Sequence, residues 1–151
     1  VYTGLEARNV KAGFALKFWR ALKKGDVDLA MREMQAYMAG IPYVEGFKKK
    51  LDDISAKEGF YEYTMYLILT MLNFYVRTQV KTSKGRTDVV VWMPDAIYVM
   101  ELKVNDTAAA ALKQINDRDY ARPYETDGRR IVKIGIRFSP ETMTVEEWAV
   151  E

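Results

Sequence analysis

Three observations predict an α/β protein. Apolar residues recur at helical spacing through the first forty residues, three β-rich runs follow one another after Asn73, and a helix and further strand segments complete the chain. A chain of 151 residues buries roughly 68–70% of its unfolded surface, which is enough for a single core. No repeat, linker or low-complexity segment divides it. Residues 1–54 are expected to form a helical extension packed on a core of residues 55–151, the whole making one compact unit.

A first helix is expected over about residues 9–24, where Val10, Phe14, Phe18, Trp19 and Leu22 share a face, with Gly25 as its end. Asp26 is positioned to cap a second helix, in which Val27, Ala30, Met31, Met34, Tyr37 and Met38 recur every three or four residues. Gly40, in left-handed cap geometry, and Pro42 should stop it. The two helices read as a hairpin whose methionine stripe suits adaptable core packing, the alternative being a partner-binding face. Ser55-Ala56-Lys57-Glu58 has the spacing of a capping box and should open a third helix. Over residues 60–72 that helix is apolar nearly all round, so Glu62 within it needs a reason.

Strands are expected over residues 74–82, 86–93 and 96–104, separated by Ser83-Lys84-Gly85 and by Pro94-Asp95, as a three-stranded antiparallel meander. The polar cluster Asn105-Asp106-Thr107 should cap an alanine-rich helix that runs to about Asp117. Residues 130–138 and 143–150 read as strands on either side of a Ser139-Pro140-Glu141 turn.

Composition narrows the chemistry. With no histidine and no cysteine, the chain can build neither a histidine-activated nucleophile nor a Cys/His zinc site. What remains is carboxylates, lysines, arginines, tyrosines, hydroxyls, or a hard metal such as magnesium that prefers oxygen ligands. The net charge of +2 is too small to argue for nucleic-acid binding by itself. The longest apolar run, residues 63–76, is broken by Thr64, Thr70 and Asn73 and falls short of the roughly 18 residues of a membrane span. No membrane role is expected, and the lack of cysteine fits a reducing, cytoplasmic setting, the alternative being a disulfide-free secreted domain. The chain starts at Val1 rather than at a methionine, which leaves open a place within a larger protein.

The hairpin around Pro94-Asp95 is the informative element. If its loop is centred between these two residues, Asp88 lies directly across from Glu101. Opposed residues of an antiparallel pair share a face, with Cβ atoms roughly 4.5–5.5 Å apart. That face would carry Val90, Trp92, Ile97 and Val99 near the turn and Arg86, Asp88, Glu101 and Lys103 at the far end. Two facing carboxylates repel, and an otherwise apolar face should not keep them unless something offsets their charge. A magnesium ion does so, taking one or two carboxylates plus waters and phosphate oxygens. Lys103, two residues beyond Glu101, shares its direction and could orient a water or stabilise charge developing on a phosphate. The competing reading is a cross-strand salt-bridge cluster at a solvated hairpin end. Register decides the matter, because a one-residue slip sends Asp88 to the opposite face.

With Asp88 and Glu101-Leu102-Lys103 on successive strands, between one helix and another, the sequence resembles the PD-(D/E)XK nuclease superfamily, with its restriction-endonuclease-like fold. More narrowly, Gly85-Arg86-Thr87-Asp88, the run from Ile97 to Lys103, Ala111-Leu112-Lys113-Gln114-Ile115, Tyr120-Ala121 and Ile134-Gly135-Ile136 resemble the C-terminal nuclease-like domain of bacterial AAA-ATPase-like proteins. The resemblance runs from about Ser55 to the end. It implies a mixed sheet flanked by helices, with Asp88, Glu101 and the Leu102 carbonyl binding Mg2+ or Mn2+ and Lys103 assisting the chemistry.

The same resemblance implies a further acidic residue on the helix before the meander. Glu62 is the candidate, since Glu58 already has a capping explanation; the alternative is that Glu62 simply reaches solvent. Gln114 lies where related nucleases place a glutamine. Its six-residue spacing to Tyr120 departs from the tighter Gln-x-x-x-Tyr of the exonuclease branch, and Tyr120 reads as packing. Thr87 stands where the motif's name has proline. Pro94-Asp95 is a turn and not the active-site pair, because at strand rise about 20 Å separates Asp95 from Glu101.

The implied function is metal-dependent hydrolysis of DNA or RNA, with DNA first. Phosphate contacts are expected from some of Lys48, Lys49, Lys50, Lys113, Arg118, Arg129 and Arg130, although scattered basic residues more often mark a solvated face. An upstream ATPase domain in the same protein is the implied partner. The alternatives are a non-catalytic nucleic-acid- or protein-binding module of such an ATPase-containing protein, and an interaction domain built on the methionine-rich hairpin.

Overall fold

A computed structural model describes residues 2–40, 77–83, 86–104, 106–139, 141–142 and 144–151, with side chains at 13–40 and, in those segments, from 89 onward. The expected helix at Ser55, together with Glu62 and Lys48, Lys49 and Lys50, lies outside them.

Helix α1 (Tyr2–Lys24) begins earlier than its apolar spacing suggests and presents Phe14, Phe18 and Leu22 to the core. It stops at Gly25, whose φ of +75° is open to glycine at little cost. Asp26 then caps α2 (Val27–Ala39), its carboxylate accepting from the Leu29 amide at 3.0 Å. The left-handed cap expected at Gly40 is absent: its φ is −83°, and its amide simply continues the last helical turn onto the Ala36 and Tyr37 carbonyls.

Among the described residues the sheet has five strands in sequential order: β1 (Arg77–Ser83), β2 (Arg86–Trp92), β3 (Ala96–Lys103), β4 (Arg130–Ser139) and β5 (Thr144–Val150). The first three form the expected antiparallel meander. Pro94 and Asp95 make the second hairpin's turn, which the Met93 amide closes by donating to the Ala96 carbonyl at 2.8 Å. Strand β4 runs parallel to β3, so the chain must cross over between them. It does so through α3 (Ala108–Asp117) and a short 3-10 turn (Arg122–Tyr124). The result is a mixed α/β sheet of the restriction-endonuclease-like kind.

Alternation along the strands divides the core in two. Val89, Val91, Tyr98, Met100, Leu102, Ile134, Ile136 and Phe138 face the helical hairpin, where they pack with Phe18, Leu22, Met31, Met34 and Met38. The methionine stripe is therefore core, and an interaction domain built on it is ruled out by burial. The Tyr98 hydroxyl, buried in this layer, donates to the Leu22 carbonyl at 2.6 Å. Burial pushes it above the usual tyrosine range, and the Arg130 guanidinium partly opposes that shift. Arg130 thus lies beside Tyr98 and Gly25 at the end of α1, on the side of the sheet away from Glu101.

The other face carries Val90, Ile97 and Val99 against Ile115 and Ala121, with Trp92, Leu112, Tyr120 and Tyr124 partly buried around them. Tyr120 is packing, as its spacing suggested. Glycine at Gly135 lets α3 lie flush on β4: a Cβ there would sit 2.2 Å from the Ala108 carbonyl oxygen and 2.5 Å from the Leu112 nitrogen.

Candidate active site

Strand register comes first. From Thr87↔Leu102 to Trp92↔Ile97 the β2–β3 pairing is unbroken, with Asp88↔Glu101 among the opposed pairs. The slip that would have separated them does not occur. Glu101 alternates with Val99 and Ile97 on the face beneath α3 and is 0% exposed. A carboxylate taken wholly out of water is at odds with a solvated salt-bridge cluster, because ionised groups are costly to bury.

Across β4, Glu101 is in register with Gly135. The residue that lets α3 descend onto the sheet therefore lies beside the buried carboxylate, and the helix roofs this end of the site. Leu102 points its side chain into the opposite core layer, so only its carbonyl could serve a metal. Among the described residues no three acidic side chains gather into a metal cluster.

Lys103 lies two residues beyond Glu101, with 17% of its side chain exposed. Its ammonium is 3.3 Å from Asp106 Oδ2. The other Asp106 oxygen accepts from the Thr107 amide at 2.8 Å, while Thr107 caps α3 by accepting from the Ala110 amide at 3.0 Å. The Thr107 amide first, and the Lys103 ammonium second, hold the Asp106 carboxyl below the usual aspartate range. Sequence spacing marked Asp106 only as part of a cap cluster; the one available signal was a Lys-x-x-Asp step at a strand end.

Arg137 is a second residue that spacing missed. It is in register with Lys103 on the neighbouring parallel strand. A β-bulge falls beside it, so that pairing passes from Arg137↔Glu147 to Phe138↔Val145. Consecutive strand residues normally point to opposite faces, but here Glu146 and Glu147 both reach the guanidinium, at 3.6 and 3.8 Å. Glu147 also accepts from the Ala108 amide at 3.1 Å, which ties β5 to the start of α3. Val104, Asp106, Thr107, Arg137, Ser139, Glu141 and Glu146 line an open cleft of about 390 Å3 at this end of the sheet.

Gln114 lies half-buried on α3, flanking the face that Ala111 and Ile115 bury. Of the basic candidates, Lys113 is paired with Asp117, and Arg129 with Asp127 and the Met93 carbonyl; Arg118 is exposed just after α3.

This geometry meets an independent match: a family model of the PD-(D/E)XK nuclease superfamily covers residues 56–148, more than half of the chain. The chain belongs to the PD-(D/E)XK nuclease superfamily. An uncharacterized protein in the vnfD 5' region of Azotobacter chroococcum mcd 1 is 32% identical over 118 residues, or 77% of this chain. The matched part makes up 22% of that relative, so the chain spans about a fifth of its length. No solved structure matches the chain. No helix among the described residues is long and apolar enough to cross a membrane.

Proposed function

We propose that this chain is a divalent-metal-dependent nuclease that hydrolyses phosphodiester bonds of DNA. One observation carries the reading: Glu101 is fully buried on an apolar sheet face, in register opposite Asp88, with Lys103 two residues further along the strand. The donor set fits Mg2+, or Mn2+, in which hard oxygens from Asp88, Glu101 and the Leu102 carbonyl leave room for water and phosphate oxygens. When bound, such an ion would offset the two carboxylate charges and make a coordinated water more acidic.

The chain's own residues supply the rest. Glu101 provides fixed negative charge in a water-poor setting, where electrostatic interactions are stronger than at the surface, and Asp88 adds a second carboxylate in register across the hairpin. Lys103 presents an ammonium that orients the attacking water or takes up charge developing on the phosphate. Gln114, on the flank of α3, would contact the substrate, and Glu62 would add a third acid. Arg118 is a further candidate for phosphate contact.

Purified protein should cut DNA in the presence of Mg2+ or Mn2+. Asp88→Ala and Lys103→Ala should each lower the rate at least a hundredfold while leaving the circular dichroism spectrum unchanged. RNA assayed in parallel decides the polymer. Binding to nucleic acid without metal, and with no cleavage by either ion, would contradict the hydrolase reading and favour a non-catalytic module. The relative's greater length supports placing the chain as one part of a larger protein; an ATPase domain upstream and a cytoplasmic setting complete the proposal.

A further inference from the structure

The geometry points to Asp106 as a positioning residue that holds the Lys103 ammonium beyond the end of β3. This inference rests on the nuclease reading above. Lys103 is the last residue of β3, and a lysine side chain at a strand end has many rotamers to choose from. Asp106 narrows that choice by taking the ammonium at 3.3 Å.

Asp106 is itself held. Its second oxygen accepts from the Thr107 amide at 2.8 Å, and Thr107 is the N-cap of α3. Helix α3 in turn is seated on the sheet by Gly135 and tied to β5 by the bond between the Ala108 amide and Glu147. A chain of contacts therefore runs from the helix that roofs Glu101, through one carboxylate, to the ammonium two residues beyond it. Asp106 also lines the open cleft at this end of the sheet, so the ammonium it takes lies next to a cleft-lining carboxylate.

The pair is an i,i+3 contact, and half of the Asp106 side chain is exposed. Such pairs contribute little to stability. Placement of a catalytic group is another matter, since a displacement of about 1 Å can cost on the order of a hundredfold in rate. An effect on turnover without a matching effect on folding is thus the mark of positioning.

The test uses the full chain with Mg2+ and duplex DNA. Asp106→Ala should lower kcat about tenfold or more with KM within about twofold, and Asp106→Glu should recover part of the loss. In a Lys103→Ala background, Asp106→Ala should change the residual rate no further, because a residue that acts through Lys103 has nothing left to act on. A second readout does not depend on turnover: with lysines labelled at Cε, the Lys103 signal, assigned by its loss in Lys103→Arg, should shift and sharpen in Asp106→Asn. That variant keeps an oxygen for the Thr107 amide and so preserves the start of α3.

An active chain in which Asp106→Ala leaves kcat within twofold, or lowers it equally with and without Lys103, overturns the assignment. So does an unmoved Lys103 signal. If the unmodified chain cuts no nucleic acid, the hydrolase reading fails, and the positioning role of Asp106 fails with it.

Discussion

At the scale of single residues, the pair opposed on the hairpin was legible because alternation and a two-residue turn together set register. Alternation puts Val90, Trp92, Ile97 and Val99 on one face, and a turn centred on Pro94-Asp95 then selects the pairing that puts Asp88 across from Glu101. Asp106 was not legible in the same way. Its reach back to Lys103 depends on how four residues turn from strand into helix, and the cap signal at Asp106-Thr107 hid it. Its ionisation yields a prediction. With its folded-state pKa held below the unfolded value by the Thr107 amide and Lys103, Asp106 stabilises the fold above the ordinary aspartate range, and the contribution is lost as pH falls through the depressed value. Urea midpoints of the wild type and Asp106→Asn should therefore differ most near about pH 7 and converge toward about pH 2. A gap that widens on acidification would contradict this sign.

At the scale of elements, α3 shows where sequence reading stops. Its N-cap and its end near Asp117 followed from local chemistry. Its seat on the sheet did not, because Gly135 meets the Ala108 carbonyl and the Leu112 amide only once β4 pairs parallel to β3. Within the sequence, Gly135 was one letter of a resemblance. In the fold it sets how low the roof over Glu101 can sit. Gly135→Ala should force α3 away from β4 and destabilise the protein by about 1–3 kcal/mol, the usual cost of overpacking a close contact. Chemical denaturation checks the magnitude, and an unchanged midpoint would show that α3 yields without cost. The β-bulge at Arg137 was hidden for a related reason: successive strand residues normally face opposite ways, and only the changed register turns both Glu146 and Glu147 toward one guanidinium.

At the scale of the whole molecule, the sheet separates two kinds of surroundings. One side is a dry layer in which α1 and α2 bury aromatic rings and methionines against the strands. The other is a thinner layer under α3 that ends in a buried carboxylate, a lysine and an open cleft. The order of elements and the apolar faces were readable from periodicity, and so was the composition's demand for carboxylate, lysine and hard-metal chemistry. Which face the helical hairpin would cover was not, since both faces of β3 are apolar over Ala96–Met100.

The claim on which the functional account depends is that Asp88 and Glu101 jointly hold a divalent cation. Titration of the apo protein with Mn2+, followed by the electron paramagnetic resonance of the free ion, tests it directly. The wild type should take up Mn2+ at a site that Mg2+ displaces, and Glu101→Gln and Asp88→Asn should each weaken that uptake at least tenfold while the fold is kept. Uptake unchanged in both variants would contradict the claim.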